Sequence, residues 1–139
     1  MQHENDFFRI DGSVEFADRT LDITCKYQFA KKEVLKNGVA YDRISDHVGL
    51  IPVAMIAPDD IAIINDGSDE RRRFLDQAIA QLNGVYLQRL MHYNRVLAQR
   101  NALLRQAATG MQPDKTVVGS LNALLAADGA YIFEERKAW

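Results

Sequence analysis

Over the first third of the chain, hydrophobic and polar residues alternate in the way that is typical of antiparallel β-strands. Residues 7–10 are followed by a break at Asp11-Gly12, and residues 21–29 alternate with a period of two. Asn37-Gly38 is the strongest signal in the chain for a tight hairpin turn. The pattern therefore predicts a small antiparallel sheet near the start of the chain.

An almost continuous apolar run follows over residues 48–57. Such a run predicts a strand that is buried on both faces, which needs a larger sheet around it. Beyond Pro58 the spacing of apolar residues becomes helical. We therefore expect a strand-rich part over residues 1–57 and a helical part over residues 58–139.

The helical part contains three longer periodic segments. Ser68 is predicted to cap the first of them, whose first turn holds two acidic residues, and Asn83-Gly84 is predicted to end it. Two further helices are predicted over about residues 85–106 and 116–137. Joined by a loop, they would form an antiparallel hairpin arm over about residues 85–137. The predicted fold class is α+β.

Composition places the chain among globular proteins with a buried core. It has 139 residues, of which 47% are hydrophobic and 26% are charged. No apolar run approaches the ~18 residues that a membrane-spanning helix needs, and the first residues do not resemble a signal peptide. We expect a cytoplasmic protein without a membrane partner.

Charge is distributed unevenly along the chain. Residues 1–66 contain 7 Lys and Arg against 12 Asp and Glu, whereas residues 67–112 contain 7 against 3. All seven cations of the second segment are arginine, the side chain best suited to bidentate contact with phosphate or carboxylate. The helical part is therefore the predicted site of contact with an anionic partner.

The arginine triplet Arg71-Arg72-Arg73 is the most conspicuous charged run. Three consecutive helical residues span ~200°, so they cannot all face one ligand. Pairs four residues apart, Asp69 with Arg73 and Arg72 with Asp76, would make part of the run a salt-bridged surface. Arg71 lies nearest the apolar stripe, so we expect it to meet a buried acceptor or another subunit. Nucleic-acid contact and a structural role both stay open for the triplet.

Catalytic motifs are absent from the sequence. It contains no Gly-rich loop ending in Gly-Lys-Ser/Thr, no G-x-S-x-G, no H-E-x-x-H and no cysteine cluster. Its three histidines lie in different predicted elements, so we expect no metal site. His92 falls on a polar helix face and is expected to be solvated. We predict no catalytic residue and no cofactor in this chain.

Asp59-Asp60 follows Pro58 at the end of the predicted buried strand. Two roles are open for these carboxylates. They can cap a short helix over residues 61–64, or they can serve a function at a sheet edge where ligand sites often lie.

Three stretches of the sequence together resemble a known family. Residues 50–60 read LIPVAMIAPDD, residues 67–76 read GSDERRRFLD, and residues 93–104 read YNRVLAQRNALL. In this order and spacing they closely resemble the RecF family of bacterial recombination mediators, over about residues 6–139.

The resemblance implies an origin in an ABC-type ATPase related to the SMC proteins. Members of this family are two-lobed, bind ATP, dimerise around it, bind DNA, and help to load recombinase at single-strand gaps together with mediator proteins. The family's phosphate-binding loop would lie before Met1, and its signature motif and Mg²⁺-binding acidic strand would lie after Trp139. We therefore expect a non-catalytic internal piece of a weak ATPase, with ATP and Mg²⁺ bound by the intact parent.

The resemblance also assigns expected roles to individual residues. The strand-rich part would belong to the ATPase lobe, and the segment Pro58, Asp59 and Asp60 would relay the nucleotide state to the helical lobe. Candidates for contact with DNA or for the dimer surface are Arg71, Arg72, Arg73, Arg95 and Arg100. The alternative interpretation is a helical protein-interaction module that does not bind DNA.

Overall fold

The structure is a computed structural model that describes residues 7–55, 57–65, 67–108, 110 and 112–139. The chain divides into two compact units, Met1–Ile51 and Pro52–Trp139. The first unit contains a four-stranded antiparallel sheet, and the second contains helices. The predicted α+β class is confirmed.

The sheet is built from four strands that pair in the order in which they occur in the chain. They are β1 (Phe7–Glu15), β2 (Thr20–Gln28), β3 (Lys31–Lys36) and β4 (Val39–Ala40). The break predicted at Asp11-Gly12 is wrong, because β1 continues through both residues. The Asp11 carboxylate accepts hydrogen bonds from Arg9 and from Thr24 of β2, which holds this part of β1 in the sheet.

The predicted hairpin turn at Asn37-Gly38 is confirmed. Both residues have positive φ, 50° and 79°, which is the backbone of the turn that best matches the twist of paired strands. The Asn37 side chain accepts a hydrogen bond from the backbone N–H of Asp22 at 3.0 Å. This turn fixes how β3 and β4 pair.

The buried strand predicted over residues 48–57 is wrong for the residues that the structure describes. A 3-10 helix at Ile44–His47 is followed by turns, and residues 52–55 and 57 are not in a strand. No described strand pairs with this segment, and Val53 and Met55 are exposed. The Val53 N–H donates instead to the side chain of Gln81, which belongs to the same compact unit, at 2.8 Å.

The helical unit begins with a 3-10 helix at Pro58–Ile61. Four α-helices follow: α1 (Ala62–Asn65), α2 (Ser68–Leu82), α3 (Gly84–Ala108) and α4 (Lys115–Ala138). The α3 and α4 helices pack as the predicted antiparallel hairpin, and α2 packs against both of them.

The helix boundaries follow from capping side chains, though one predicted cap is wrong. Ser68 is the first residue of α2 rather than its cap, since Gly67 occupies that position and the helix start has no side-chain cap. Asn83 separates α2 from α3 as predicted, and its side chain accepts a hydrogen bond from the Tyr86 N–H at 3.0 Å. Asp114 caps α4 by accepting from the Thr116 N–H at 2.7 Å.

The core of this unit lies where α2, α3 and α4 meet. Its buried side chains are Ile79, Ala80, Tyr86 and Ile132. Gly129 of α4 lets α3 approach closely, because a Cβ atom at this position would lie 3.3 Å from the Tyr93 ring.

By length and composition alone, α4 also meets the criterion for a membrane-spanning helix, with a mean hydropathy of 1.3 over its most apolar window. Core helices of soluble proteins meet the same criterion, so this property is weak support for a membrane span.

Candidate nucleic-acid interface

The predicted arginine triplet lies in the first turns of α2, and each of its members already has a protein partner. Arg71 donates to the backbone carbonyl of Ile63 at 3.5 Å. Arg72 pairs with Asp69, and Arg73 pairs with Glu70 at 3.1 Å.

These ion pairs join residues three apart, so the predicted pairs of Asp69 with Arg73 and of Arg72 with Asp76 are wrong. The physical reason is that the Asp76 carboxylate turns toward Arg136 of α4 and is not available to Arg72.

Both ion pairs of the triplet are exposed to solvent. Exposed pairs of this kind are worth little because water competes for both partners. Arg72 and Arg73 can therefore exchange a carboxylate for a phosphate at small cost. The triplet is a possible anion-binding surface, but one whose charge is partly neutralised by its own helix.

The remaining predicted cations lie elsewhere, along α3. Arg95 is exposed and makes no ion pair or hydrogen bond with the described residues. Arg100 is turned toward α4, where its Nε donates to the Asn122 side chain at 2.6 Å. Of the five predicted cations, the structure thus gathers the triplet on one helical segment and places Arg95 and Arg100 on another helix.

The predicted relay segment forms the start of the short helical stretch before α2. The Asp60 side chain accepts from the Ala57 N–H at 2.6 Å, while the Asp60 N–H donates to the Ala57 carbonyl at 3.0 Å. This reciprocal arrangement is a helix cap. The side chain of Asp59 lies outside the part of the chain that the structure describes. A role of Pro58, Asp59 and Asp60 in relaying a nucleotide state stays a prediction.

A partly buried polar network that the sequence did not reveal connects all three long helices. Arg136 of α4 pairs with Asp76 of α2 at 2.8 Å, and its Nε donates to the Tyr86 hydroxyl of α3 at 3.2 Å. The Tyr86 hydroxyl in turn donates to Asp76. Burial, reinforced by the neighbouring Asp76 carboxylate, raises the pKa of Tyr86 to about 12. The phenol is therefore neutral at physiological pH and acts as a donor.

A second network ties α3 to α4. Asp128 is only 2% exposed, and it accepts from Arg89 at 2.8 Å and from His92. Burial by itself would raise the pKa of Asp128, but the hydrogen bonds from His92 and Arg89 outweigh it and hold this pKa below its ordinary value. The prediction that His92 is merely solvated is wrong.

One sequence signal could have found the second network. Asp128 lies in the apolar stripe of α4, at steps of four, three and four along Leu121, Leu125, Asp128 and Ile132. A carboxylate in such a stripe needs a cationic partner on the facing helix. Within the described part of the chain, no three metal-ligating side chains come together.

Comparison with known proteins gives one consistent result. No family model matches the sequence. The chain is 44% identical over 138 residues to the DNA replication and repair protein RecF of Flavobacterium johnsoniae, covering 99% of this chain and 38% of that protein. It is 38% identical over 141 residues to the RecF of Bacteroides thetaiotaomicron, covering 100% and 37%. The chain thus spans little more than a third of the length of these curated relatives.

Solved structures give the same match. One describes the recombination mediator protein RecF with ATPrS in the RecFOR pathway; its TM-score is 0.88 at 27% identity, over 99% of this chain and 37% of that one. A second describes RecF with ATP in the same pathway, with a TM-score of 0.90 at 27% identity, over 97% and 36%.

Proposed function

Because the chain is homologous to a segment of RecF, as its sequence predicted, we propose that it serves as the non-catalytic part of a recombination mediator. In the intact protein it would connect ATP-driven dimerisation to DNA and to mediator proteins. The intact protein would then support DNA repair, replication and the loading of recombinase at single-strand gaps. The names of the relatives, which include DNA replication, repair and recombination mediation, support this proposal.

Nucleotide chemistry in this proposal belongs to the intact parent, a weak ABC-type ATPase that binds ATP with Mg²⁺. Nucleotide-bound RecF structures support the ATP part of this assignment. Residues 1–57 would belong to the ATPase lobe and residues 58–139 to the helical lobe. The parent would be a cytoplasmic protein that dimerises when it binds ATP and has no membrane partner.

The main support for the proposed DNA binding is the arginine content of the helical unit. Seven arginines and three acidic residues lie between residues 67 and 112. Within the triplet, Arg72 and Arg73 are exposed and held only by local carboxylates, so phosphate can replace those partners. Arg95 is exposed without a described partner, which leaves its guanidinium fully available.

The test is binding of a fluorescent single-stranded oligonucleotide to the 139-residue chain at low salt. We expect the triple variant R71Q/R72Q/R73Q to bind at least 10-fold more weakly. Its log-log salt dependence should become shallower by ~0.7 for each phosphate that the variant no longer binds. R95Q should show a smaller loss of the same kind.

The matched control is Q99R, which adds a cation to the same helix as Arg95. Under the proposal it strengthens binding or leaves it unchanged. Unchanged affinity and salt slope in the triple variant, with α2 intact by circular dichroism, would show that the triplet does not contact DNA.

The second candidate function is a helical interaction module that binds a protein partner without DNA. The local pairing of Arg72 and Arg73 favours it, since paired arginines need no external anion. Salt distinguishes the two functions, because an apolar helix interface is much less sensitive to salt than phosphate contact.

The relay role proposed for Pro58, Asp59 and Asp60 is supported by their position directly before α1 and α2. Two hydrogen bonds between Asp60 and Ala57 hold the start of this segment in one conformation. In the intact protein, the variant D60A should weaken the ATP dependence of DNA binding while leaving binding without ATP unchanged. An equal loss with and without ATP would assign Asp60 a structural role only.

A further inference from the structure

A cavity of about 170 Å³ opens to the surface where α2, α3 and α4 meet. It lies entirely within the helical unit. An engineered protein cavity of about 150 Å³ binds one benzene molecule, so this cavity has room for a single six-membered ring. Drug-sized ligands need roughly 300 Å³ or more. The volume therefore limits the occupant to one ring or one side chain.

The walls of the cavity are mainly apolar and include two aromatic rings. Leu90 and Tyr93 come from α3, and Ile132 and Phe133 come from α4. Phe133 is 62% exposed, so its ring is accessible to a ligand at the mouth of the cavity. Aromatic rings of this kind are the surfaces on which unpaired bases of nucleic acids stack. The walls therefore favour a planar aromatic occupant.

Three polar side chains, those of Asp76, Asn94 and Arg136, line the same cavity. The Arg136 guanidinium has five N–H donors, and it uses Nε and Nη2 to contact Asp76 and Tyr86. Its Nη1 and the side-chain amide of Asn94 make no hydrogen bond with the described residues. Asp76 and Arg136 are the only charged residues among those described in the lining, and they pair with each other. The polar end therefore offers hydrogen bonds without a net charge.

This combination suits a nucleobase better than an apolar side chain of a protein partner. An apolar side chain would cover Nη1 of Arg136 and the amide of Asn94 without giving either a hydrogen bond, which is unfavourable. A base presents a flat ring to Phe133 and hydrogen-bonding groups along its edge. The single ring of a pyrimidine matches the volume, whereas the two fused rings of a purine need more room.

Positive charge lies next to the cavity on α2. Arg72 and Arg73 precede Asp76 by four and three residues, so they share a side of the helix with it. Both are exposed, and their ion pairs are with carboxylates of the same helix. A phosphate can replace such partners at small cost. The base and a phosphate of one strand would thus find partners on the same side of α2.

We propose that the cavity binds one unstacked pyrimidine base of a single-stranded nucleic acid, while Arg72 or Arg73 contacts a neighbouring phosphate. The base stacks on Phe133, and its edge accepts hydrogen bonds from Nη1 of Arg136 and from the amide of Asn94. This inference rests on the DNA binding proposed above and adds to it a site that contacts a base rather than the backbone. Bases of an intact duplex are stacked and paired, so they cannot enter.

The experiment measures the affinity of the 139-residue chain for labelled single strands by fluorescence anisotropy at low salt. The strands have about 12 nucleotides, within the usual range of binding-site sizes. Oligo(dT) should bind at least about 5-fold more tightly than a strand of equal length that has abasic residues throughout, because a base stacked on an aromatic side chain contributes at least that factor. The salt dependence should be the same for both strands, since both have the same phosphates. Oligo(dA) should bind more weakly than oligo(dT), and tighter binding would overturn the assignment to a pyrimidine.

Two substitutions at the cavity should reduce the preference for oligo(dT). F133A removes the stacking ring and should bring the affinity for oligo(dT) to within about 2-fold of that for the abasic strand. N94L replaces the amide with an apolar group of similar size and should cause a smaller loss. Neither variant should change the affinity for the abasic strand, which separates a lost base site from a misfolded protein. F74A is the matched control, because Phe74 of α2 is 49% exposed and does not line the cavity.

Equal affinity for oligo(dT) and the abasic strand would overturn the inference and leave the cavity to an apolar side chain of a protein partner. A preference for oligo(dT) that persists in F133A would also overturn it, because the base would then bind elsewhere. In both cases the strands still bind through their phosphates, so the DNA binding proposed above stands. Failure of both strands to bind at low salt would instead overturn the two proposals together.

Discussion

Arginines at two places in the helical unit have opposite kinds of partner. At the start of α2, Arg72 and Arg73 pair with carboxylates of their own helix, and both pairs face solvent. At the base of the α3–α4 hairpin, Arg89 and Arg136 pair with carboxylates of other helices. Only the second kind can hold helices together, since a pair within one helix adds nothing to the packing of that helix against another.

The largest expected effect comes from removing both partners of Asp128. We expect R89A/H92A to lower the free energy of unfolding by about 2–4 kcal/mol, because the carboxylate loses two charge-assisted hydrogen bonds in a buried position. Urea unfolding followed by circular dichroism measures the change.

The control for this double variant is R95A on the same helix. The Arg95 side chain is exposed, so R95A should change the free energy of unfolding by about 0.5 kcal/mol or less. If R89A/H92A cost no more than R95A, the Asp128 network would contribute nothing to holding the hairpin together.

A smaller effect is expected from Y86F, which removes the hydroxyl between Asp76 and Arg136. We expect a loss of about 1–2 kcal/mol at neutral pH. The pKa of this phenol is raised from 10 to about 12, so its contribution is fully present below pH 10 and is lost as the pH rises toward 12.

The pH dependence of the difference between wild type and Y86F is the decisive measurement. The difference in unfolding free energy should shrink between pH 10 and 12. A difference that stays constant over this range would mean that folding does not raise the pKa of this phenol.

The smallest effect is expected at the exposed pairs of α2. R72A and R73A should each change the free energy of unfolding by no more than about 0.5 kcal/mol. Thermal unfolding of R72A, R73A and R89A/H92A under the same conditions compares the loss of stability at the start of α2 with the loss at the Asp128 network. A loss above about 1.5 kcal/mol for R73A would remove the distinction between them.

The elements with strong local signals were predictable from sequence. Asn37-Gly38 determines its own turn, and the helix boundary at Asn83 follows from a side chain that caps the next helix. The hairpin of α3 and α4 followed from apolar spacing alone. In these cases the physical cause lies within a few residues of its effect.

The predictions that are wrong concern residues whose structural partners lie far away in the sequence. An apolar run over residues 48–57 indicates a buried strand only if neighbouring strands exist, and no described strand pairs with it. The partner of Asp76 is Arg136, sixty residues away, rather than the nearby Arg72. The polar helix face predicts a solvated His92, but the carboxylate that His92 contacts lies on the facing helix.

The close approach at Gly129 bears on how this protein can vary among species. A methyl group there would lie 3.3 Å from the Tyr93 ring, so Tyr93 would have to shift by a few tenths of an ångström to admit even alanine. Alanine would otherwise favour the helix by about 0.5–1 kcal/mol. Larger residues at position 129 are therefore expected only in sequences where residue 93 has become smaller, so that the two positions evolve as a pair.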